Sequence, residues 1–255
     1  MPDDTKLGNF RGIPVTPGGV ADAVETILSA TRSPEPAQFR FVNSYTMALA
    51  DRDASYERLL KRSGTNFVDG RPLHWVLRTK GNWSPGHARG PAVFEEVLRA
   101  GLEVGVAHFF YGTNSQTLDF LVEQARQRFP GISVAGVYAP GYGPIEDEEL
   151  SKIVFEVERT KPDIVWVALG TPKQDFVAAD LVARTGVVAA AVGAAFDFTA
   201  GTKSRAPNWM QRAGLEWLFR LLSEPRRLWR RYLWGNTHFA RLALRELRAR
   251  KPTRE

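Results

Sequence analysis

The residues best placed for chemistry in this chain are carboxylates, amides and arginines that follow apolar runs. Asp69 comes directly after the run 65–68 and precedes Gly70. An aspartate in that place serves either as a turn residue or as a carboxylate at the ligand edge of a sheet, available as a general base. Gly170-Thr171-Pro172-Lys173-Gln174 closes a second apolar run. Thr171 suits an N-cap, Pro172 the first helical position, and Gln174 the return arm of a capping box. The same residues also describe an anion site: a glycine after a strand, N–H groups at a helix start, and Lys173 and Gln174 to reach a phosphate or a sugar hydroxyl. Both readings stand at this level.

Other chemistries drop out. The chain has no cysteine, which removes disulfide frameworks, thiolate zinc sites and cysteine nucleophiles together. Its histidines (His74, His87, His108, His238) have no i,i+4 spacing for a zinc helix, and there is no Walker A, complete G-x-G-x-x-G or G-x-S-x-G motif. Asp51-Arg52-Asp53 has the D-x-D form of a metal-holding pair. It falls in a helix predicted over 47–62, where residues two apart point about 200° apart, so a solvated face is expected. No metal and no cofactor are expected.

The elements that must position these groups alternate. Strands are predicted at 40–45, 65–68, 107–111, 132–138, 163–169 and 187–192. Helices are predicted at 47–62, 92–102, 116–129, 148–159 and 173–183. Pro207 and Pro225 bracket another helix, and 226–250 reads as a final helix or helix pair. Nearly all-apolar strands alternating with helices predict an α/β, Rossmann-like fold: a mostly parallel sheet with helices on both faces. Ligands gather outside the carboxyl ends of such strands. Asp69, Gly112, the loop 140–144, Gly170 and Gly193 are therefore expected along one edge.

The charge is unevenly spread. The whole chain of 255 residues carries +6, while residues 203–255 hold 14 Lys/Arg against 4 Asp/Glu, or +10, leaving −4 for residues 1–202. The expected organisation is a catalytic body over 1–202 and a basic helical appendage over 203–255. Four of the seven tryptophans, Trp209, Trp217, Trp229 and Trp234, lie in the appendage. Arginine interleaved with tryptophan suits a membrane headgroup layer, an RNA-stacking surface or a solvated helix whose aromatics pack inward. No run approaches the ~20 apolar residues of a membrane span. The start, Met1-Pro2-Asp3-Asp4, lacks the apolar core of a secretory signal, so a cytoplasmic location is expected.

Taken together, the segments resemble the WecG/TagA/CpsF glycosyltransferase family. The matching residues are Asn43, Val68-Asp69-Gly70, Gly141-Tyr142, Asp163-Ile164-Val165, Gly170 to Gln174, Gly193 to Phe198, Gly201, Arg205-Ala206-Pro207, Leu215 to Leu221, and Glu224 to Arg227. They run in order over about residues 40–231. The resemblance implies an inverting, metal-independent transfer of a sugar, N-acetylmannosamine or a related hexose, from a UDP-sugar donor. The acceptor it implies is a polyprenyl-diphosphate-linked saccharide, at the inner face of the plasma membrane, in wall or capsule polysaccharide synthesis. It implies Asp69 as the base, and Asn43 and Gln174 in the sugar pocket. Tyr142 and Asp197 fall on the nucleotide side, with Gly170 and Arg205 among the substrate-binding groups. It implies Arg220, Arg227 and Arg230 as catalytic groups that stabilise the departing diphosphate, carried on an appendage that closes over the site and meets an anionic membrane surface. A homo-oligomer is compatible with it; nucleic acid is not an expected partner. The sequence departs from the family pattern at Phe41 (commonly threonine), Asp175 (commonly glutamate) and in His87-Ala88-Arg89-Gly90-Pro91-Ala92, where R-x-x-G-x-D is frequent. Two rival classes follow from the same residues: a nucleic-acid-binding protein with a basic tail, and a family member that binds donor without turnover.

Overall fold

The computed structural model describes residues 8–62, 64–80, 86–141 and 143–248. Its strands are β1 (Gly8–Phe10), β2 (Ile13–Val15), β3 (Gln38–Val42), β4 (Thr65–Val68), β5 (Ala107–Gly112), β6 (Ser133–Tyr138), β7 (Ile164–Ala168) and β8 (Val188–Ala191). The helices are α1 (Val20–Ala30), α2 (Ser44–Ala50), α3 (Ala54–Lys61), α4 (Arg71–Lys80), α5 (Gly90–Ala100), α6 (Ser115–Arg128), α7 (Asp147–Thr160), α8 (Lys173–Thr185), α9 (Ala195–Thr199), α10 (Asn208–Arg212), α11 (Glu216–Ser223) and α12 (Pro225–Arg248). The main sheet has the order β4-β3-β8-β7-β5-β6, and β1 pairs with β2 in a separate antiparallel hairpin. The pairs β3–β8, β8–β7, β7–β5 and β5–β6 are all parallel. The fold is therefore the expected Rossmann-like α/β arrangement. Among the described residues no helix is long and apolar enough to cross a membrane.

The chain divides into two compact units, one of Met1–Gly19, Val42–His87 and Arg205–Glu255, the other of Val20–Phe41 and Ala88–Ser204.

The second unit owes its form to strands that are apolar on both faces. One face of β5 and β7 sends Phe109, Tyr111, Val165 and Val167 against Leu150, Ile153 and Val157 of α7 and Val177, Ala178 and Leu181 of α8. The other face carries Phe110 and Trp166, which meet the Phe94 ring of α5 edge-on at 5.9 and 4.9 Å between centroids. Phe196 of α9 completes this cluster, 5.6 Å from Phe110. His108 is buried in the same layer and accepts a hydrogen bond from the Trp166 indole N–H through Nδ1 at 3.1 Å. Burial pushes its pKa down to about 4, because a charged imidazole has no solvation there.

The first unit joins a hairpin and several short helices to one long helix, α12. The β1–β2 turn places Arg11 and Gly12 at positive φ, the backbone that a two-residue hairpin loop requires. Asn66, buried in β4, donates to the carbonyls of Pro14 and Leu60. The helix predicted over 47–62 is two helices. Asp51 sits at the C-cap of α2, and Asp53 is the N-cap of α3, accepting from the N–H groups of Ser55 and Tyr56. A capping aspartate holds its first orphan donors better than a continuous helix could, which corrects the single helix; Asp51, Arg52 and Asp53 are exposed, in line with the solvated reading. The segment between Pro207 and Pro225 likewise forms two helices, α10 and α11, with Gly214 at φ +72 between them. Residues 225–248 are a single helix.

Candidate active site

In the first unit the candidate site grows from the turn after β4. Asp69 N–H donates to Val42 O at 2.8 Å, and Gly70 O accepts His74 N–H at 3.3 Å. Gly70 N–H donates to His87 Nε2 at 3.1 Å. Gly70 has φ +93, a conformation strained for any side chain, and a Cβ there would lie 3.3 Å from the Asn43 Cβ. The turn thus lies directly against Asn43. Asn43 is the N-cap of α2: its Oδ1 accepts from Tyr45 N–H at 3.0 Å and Thr46 N–H at 3.2 Å. Its Oδ1 is thereby engaged in capping the helix. The His74 ring lies 6.1 Å from that of His87. Burial, with the charges of Arg71 and Arg78, holds the His74 pKa below its ordinary value.

The basic C-terminal segment is fastened to α2 in the same unit. The Arg231 guanidinium lies over the Tyr45 ring at 4.1 Å, and the Trp234 ring meets Tyr45 edge-on. A Cβ on Gly235 would come 2.8 Å from the Tyr45 ring, so the helices approach closely because this residue is glycine. His238 Nε2 and Arg11 both bond Asp51, at 2.9 and 3.0 Å. Leu228, Phe239 and Leu242 are buried, while Arg226, Trp229, Arg230, Leu233 and Leu244 face outward. The Arg230 guanidinium lies over the exposed Trp229 ring at 5.3 Å.

In the second unit the start of α8 is organised by Gln174. Its Oε1 accepts Gly170 N–H at 3.1 Å, one residue earlier than a capping box would reach. The helix begins at Lys173 with Pro172 at the N-cap position, so Thr171 is not the cap. Gln174 is buried, and a Cβ on Gly193 would lie 3.7 Å from its Oε1. Lys173 Nζ donates to Gly143 O at 2.7 Å, tying this helix to the loop after β6. Beneath it, Gln38 donates to Asp175 O and accepts from the buried Arg40 guanidinium. Asp197 pairs with Lys203 at 3.0 Å.

The structure therefore brings Asn43 and Asp69 together in one unit, and Gly170 and Gln174 together in the other. Arg205 is exposed just before α10, and Arg220 is half-buried on α11. Tyr142 and the Arg227 side chain lie outside the described residues. His87 is marked in the sequence as a departure from the family pattern, but sequence reasoning did not give the contacts that His87, Arg231 and Lys203 make. Their partners are 17 residues away for His87 and six for Lys203, and no local spacing rule connects such pairs.

The model of the glycosyl transferase WecG/TagA/CpsF family matches residues 9–253, so the chain belongs to that family and is a glycosyltransferase. It is similar to the N-acetylglucosaminyldiphosphoundecaprenol N-acetyl-beta-D-mannosaminyltransferase of Bacillus subtilis (strain 168), with 32% identity over 75% of this chain and 73% of the relative. The protein of the same name from Bacillus spizizenii (strain ATCC 23059 / NRRL B-14472 / W23) is 31% identical over 72% of this chain and 70% of its own length.

Proposed function

We propose that the chain transfers an N-acetylmannosamine-type hexose from a UDP-sugar to a polyprenyl-diphosphate-linked saccharide, with inversion and without a metal ion. The relatives' names supply the sugar and the lipid-linked acceptor. The observation that carries the chemistry is the Asp69 turn, a carboxylate at a strand end whose backbone is bonded on both sides and which lies against Asn43.

In the proposed step Asp69 takes the proton of an acceptor hydroxyl as that oxygen attacks the anomeric carbon. The bond from that carbon to UDP breaks, and its electron pair leaves with the diphosphate. A single displacement inverts the centre. A positioned base is typically worth about 10²–10⁴ in rate. Asn43 and Gln174 bind sugar hydroxyls; Asp197, Tyr142, Gly170 and Arg205 serve the donor nucleotide and its phosphates. Arg220 and Arg227 neutralise the leaving diphosphate, the task a divalent cation would otherwise perform. Among the described residues no three His, Asp or Glu side chains gather in a metal-binding group.

The outward stripe of α12 mixes Arg226 and Arg230 with Trp229, Leu233 and Leu244, the pattern of a helix lying in a headgroup layer. We assign this stripe, Arg230 included, to the inner surface of the membrane that holds the acceptor. The test is UDP release from several UDP-sugars with a short-chain lipid-diphosphate acceptor, in EDTA, for the unaltered protein and Asp69→Asn. Turnover in EDTA and a loss of about 10²-fold or more in the variant are expected. Activity restored only by Mg²⁺ or Mn²⁺, or a variant at full rate, refutes the corresponding assignment.

A further inference from the structure

Three main-chain groups define the Asp69–Gly70 turn, and one of them is satisfied by a side chain. Asp69 N–H and Gly70 O bond to backbone; Gly70 N–H bonds to His87 Nε2. A ring nitrogen that accepts carries no proton, so His87 is in its Nδ1–H form while this bond holds. The main chain before it is fixed as well. Gly86 has φ +65, and a Cβ there would lie 2.1 Å from the carbonyl carbon and oxygen of Gly18. Only glycine permits that approach, and it sets where the His87 side chain begins.

We propose that His87 is a positioning residue, an acceptor that fixes the Gly70 amide and through it the direction of the Asp69 carboxylate. The proposal rests on the reading of Asp69 as the base. Glycine has wide backbone freedom, so without the acceptor the peptide joining residues 69 and 70 can rotate. The carboxylate then leaves the line of proton transfer, and a displacement of about 1 Å costs about 10²-fold. The effect falls on turnover and leaves donor binding in place.

The chemistry of the acceptor makes the test selective. Glutamine offers an oxygen near the place of Nε2; arginine offers only donors. In the full chain, His87→Ala is expected to lower kcat about 10- to 100-fold with KM for donor and acceptor within about threefold. Exchange of the Gly70 amide, read by NMR, is expected to accelerate about tenfold, the scale of one lost hydrogen bond. His87→Gln recovers both, and His87→Arg recovers neither. Long-range ¹H–¹⁵N spectra of the unaltered protein show the Nδ1–H tautomer. The proposal is overturned by undiminished Gly70 protection in His87→Ala, by His87→Arg recovering as well as His87→Gln, by a loss confined to KM, or by the other tautomer. If His87→Ala does not fold, the Gln and Arg variants and the tautomer decide. Asp69→Asn is assayed alongside: full turnover there removes the base reading, while amide exchange and the tautomer still report whether His87 holds the turn.

Discussion

The two units are held together by different forces. In the second, aromatic rings pack edge-on across the sheet, and its buried imidazole, His108, is kept neutral and bonded to Trp166. In the first, an apolar core that includes Phe10, Tyr56, Leu60 and Phe67 is joined by long-range directional contacts. Asp51 sits between Arg11 and His238, Asn66 ties β4 to two carbonyls, and arginines lie over Tyr45 and Trp234. Non-directional burial makes a scaffold that tolerates little loss of volume. Directional bonds hold a few groups at chosen angles, which is what a proposed base needs.

That contrast can be broken, beginning with the largest effect. Phe94→Ala is expected to destabilise the second unit by about 3–5 kcal/mol, read by denaturant unfolding; a cost near zero would mean that its ring cluster is not a packed core. The pH dependence of that unit is the next measurement. The folded pKa of His108, about 4, lies below the unfolded value of about 6.5. The unfolded chain therefore binds more protons between those limits. The stabilising contribution is whole above pH 6.5 and is lost as pH falls toward 4, by about 3 kcal/mol. His108→Gln, which can still accept from Trp166, is expected to remove that slope; an unchanged slope would place the titration elsewhere. In the first unit, Arg226→Glu with Arg230→Glu is expected to abolish sedimentation with anionic liposomes, since each basic group near such a surface contributes about 1 kcal/mol, without changing the unfolding midpoint. Unaltered sedimentation would remove α12 from the proposed membrane contact. Gln174→Ala is the smallest: loss of one hydrogen bond to Gly170 N–H, about 1 kcal/mol, is expected to weaken donor binding several-fold in a titration, and unchanged binding would confine Gln174 to capping.

The sheet was legible because its strands are apolar throughout: Ile164–Ala168 and Val188–Ala191 lie inside the predicted runs. Element ends were less so. The break between α2 and α3 carries neither glycine nor proline, and the caps at Asp51 and Asp53 look from the sequence like two polar residues of a longer helix. The β1–β2 hairpin escaped because its strands are three residues each and Arg11, not a residue that favours positive φ, occupies its turn. Helix α1 buries Ala23, Val24, Ile27 and Leu28, a helical spacing that the sequence itself carries. Of the candidate site, Asp69 and Gln174 stood out by their place after strands. His87 stood out only as a departure from the family pattern, since a neutral histidine acting as acceptor has no sequence signature until its partner amide is located in space.

The packing of Gly235 against Tyr45 also bears on the order of synthesis. Residues 20–41 and 88–204 leave the ribosome before α12, so the aromatic unit can settle while translation continues. The unit that carries Asp69 includes a helix made after those residues, and a nascent chain stalled before α12 would expose Tyr45 and Phe10, whose ring stacks on Phe239. On the proposed reading of Asp69 as the base, turnover begins only after that helix has been made.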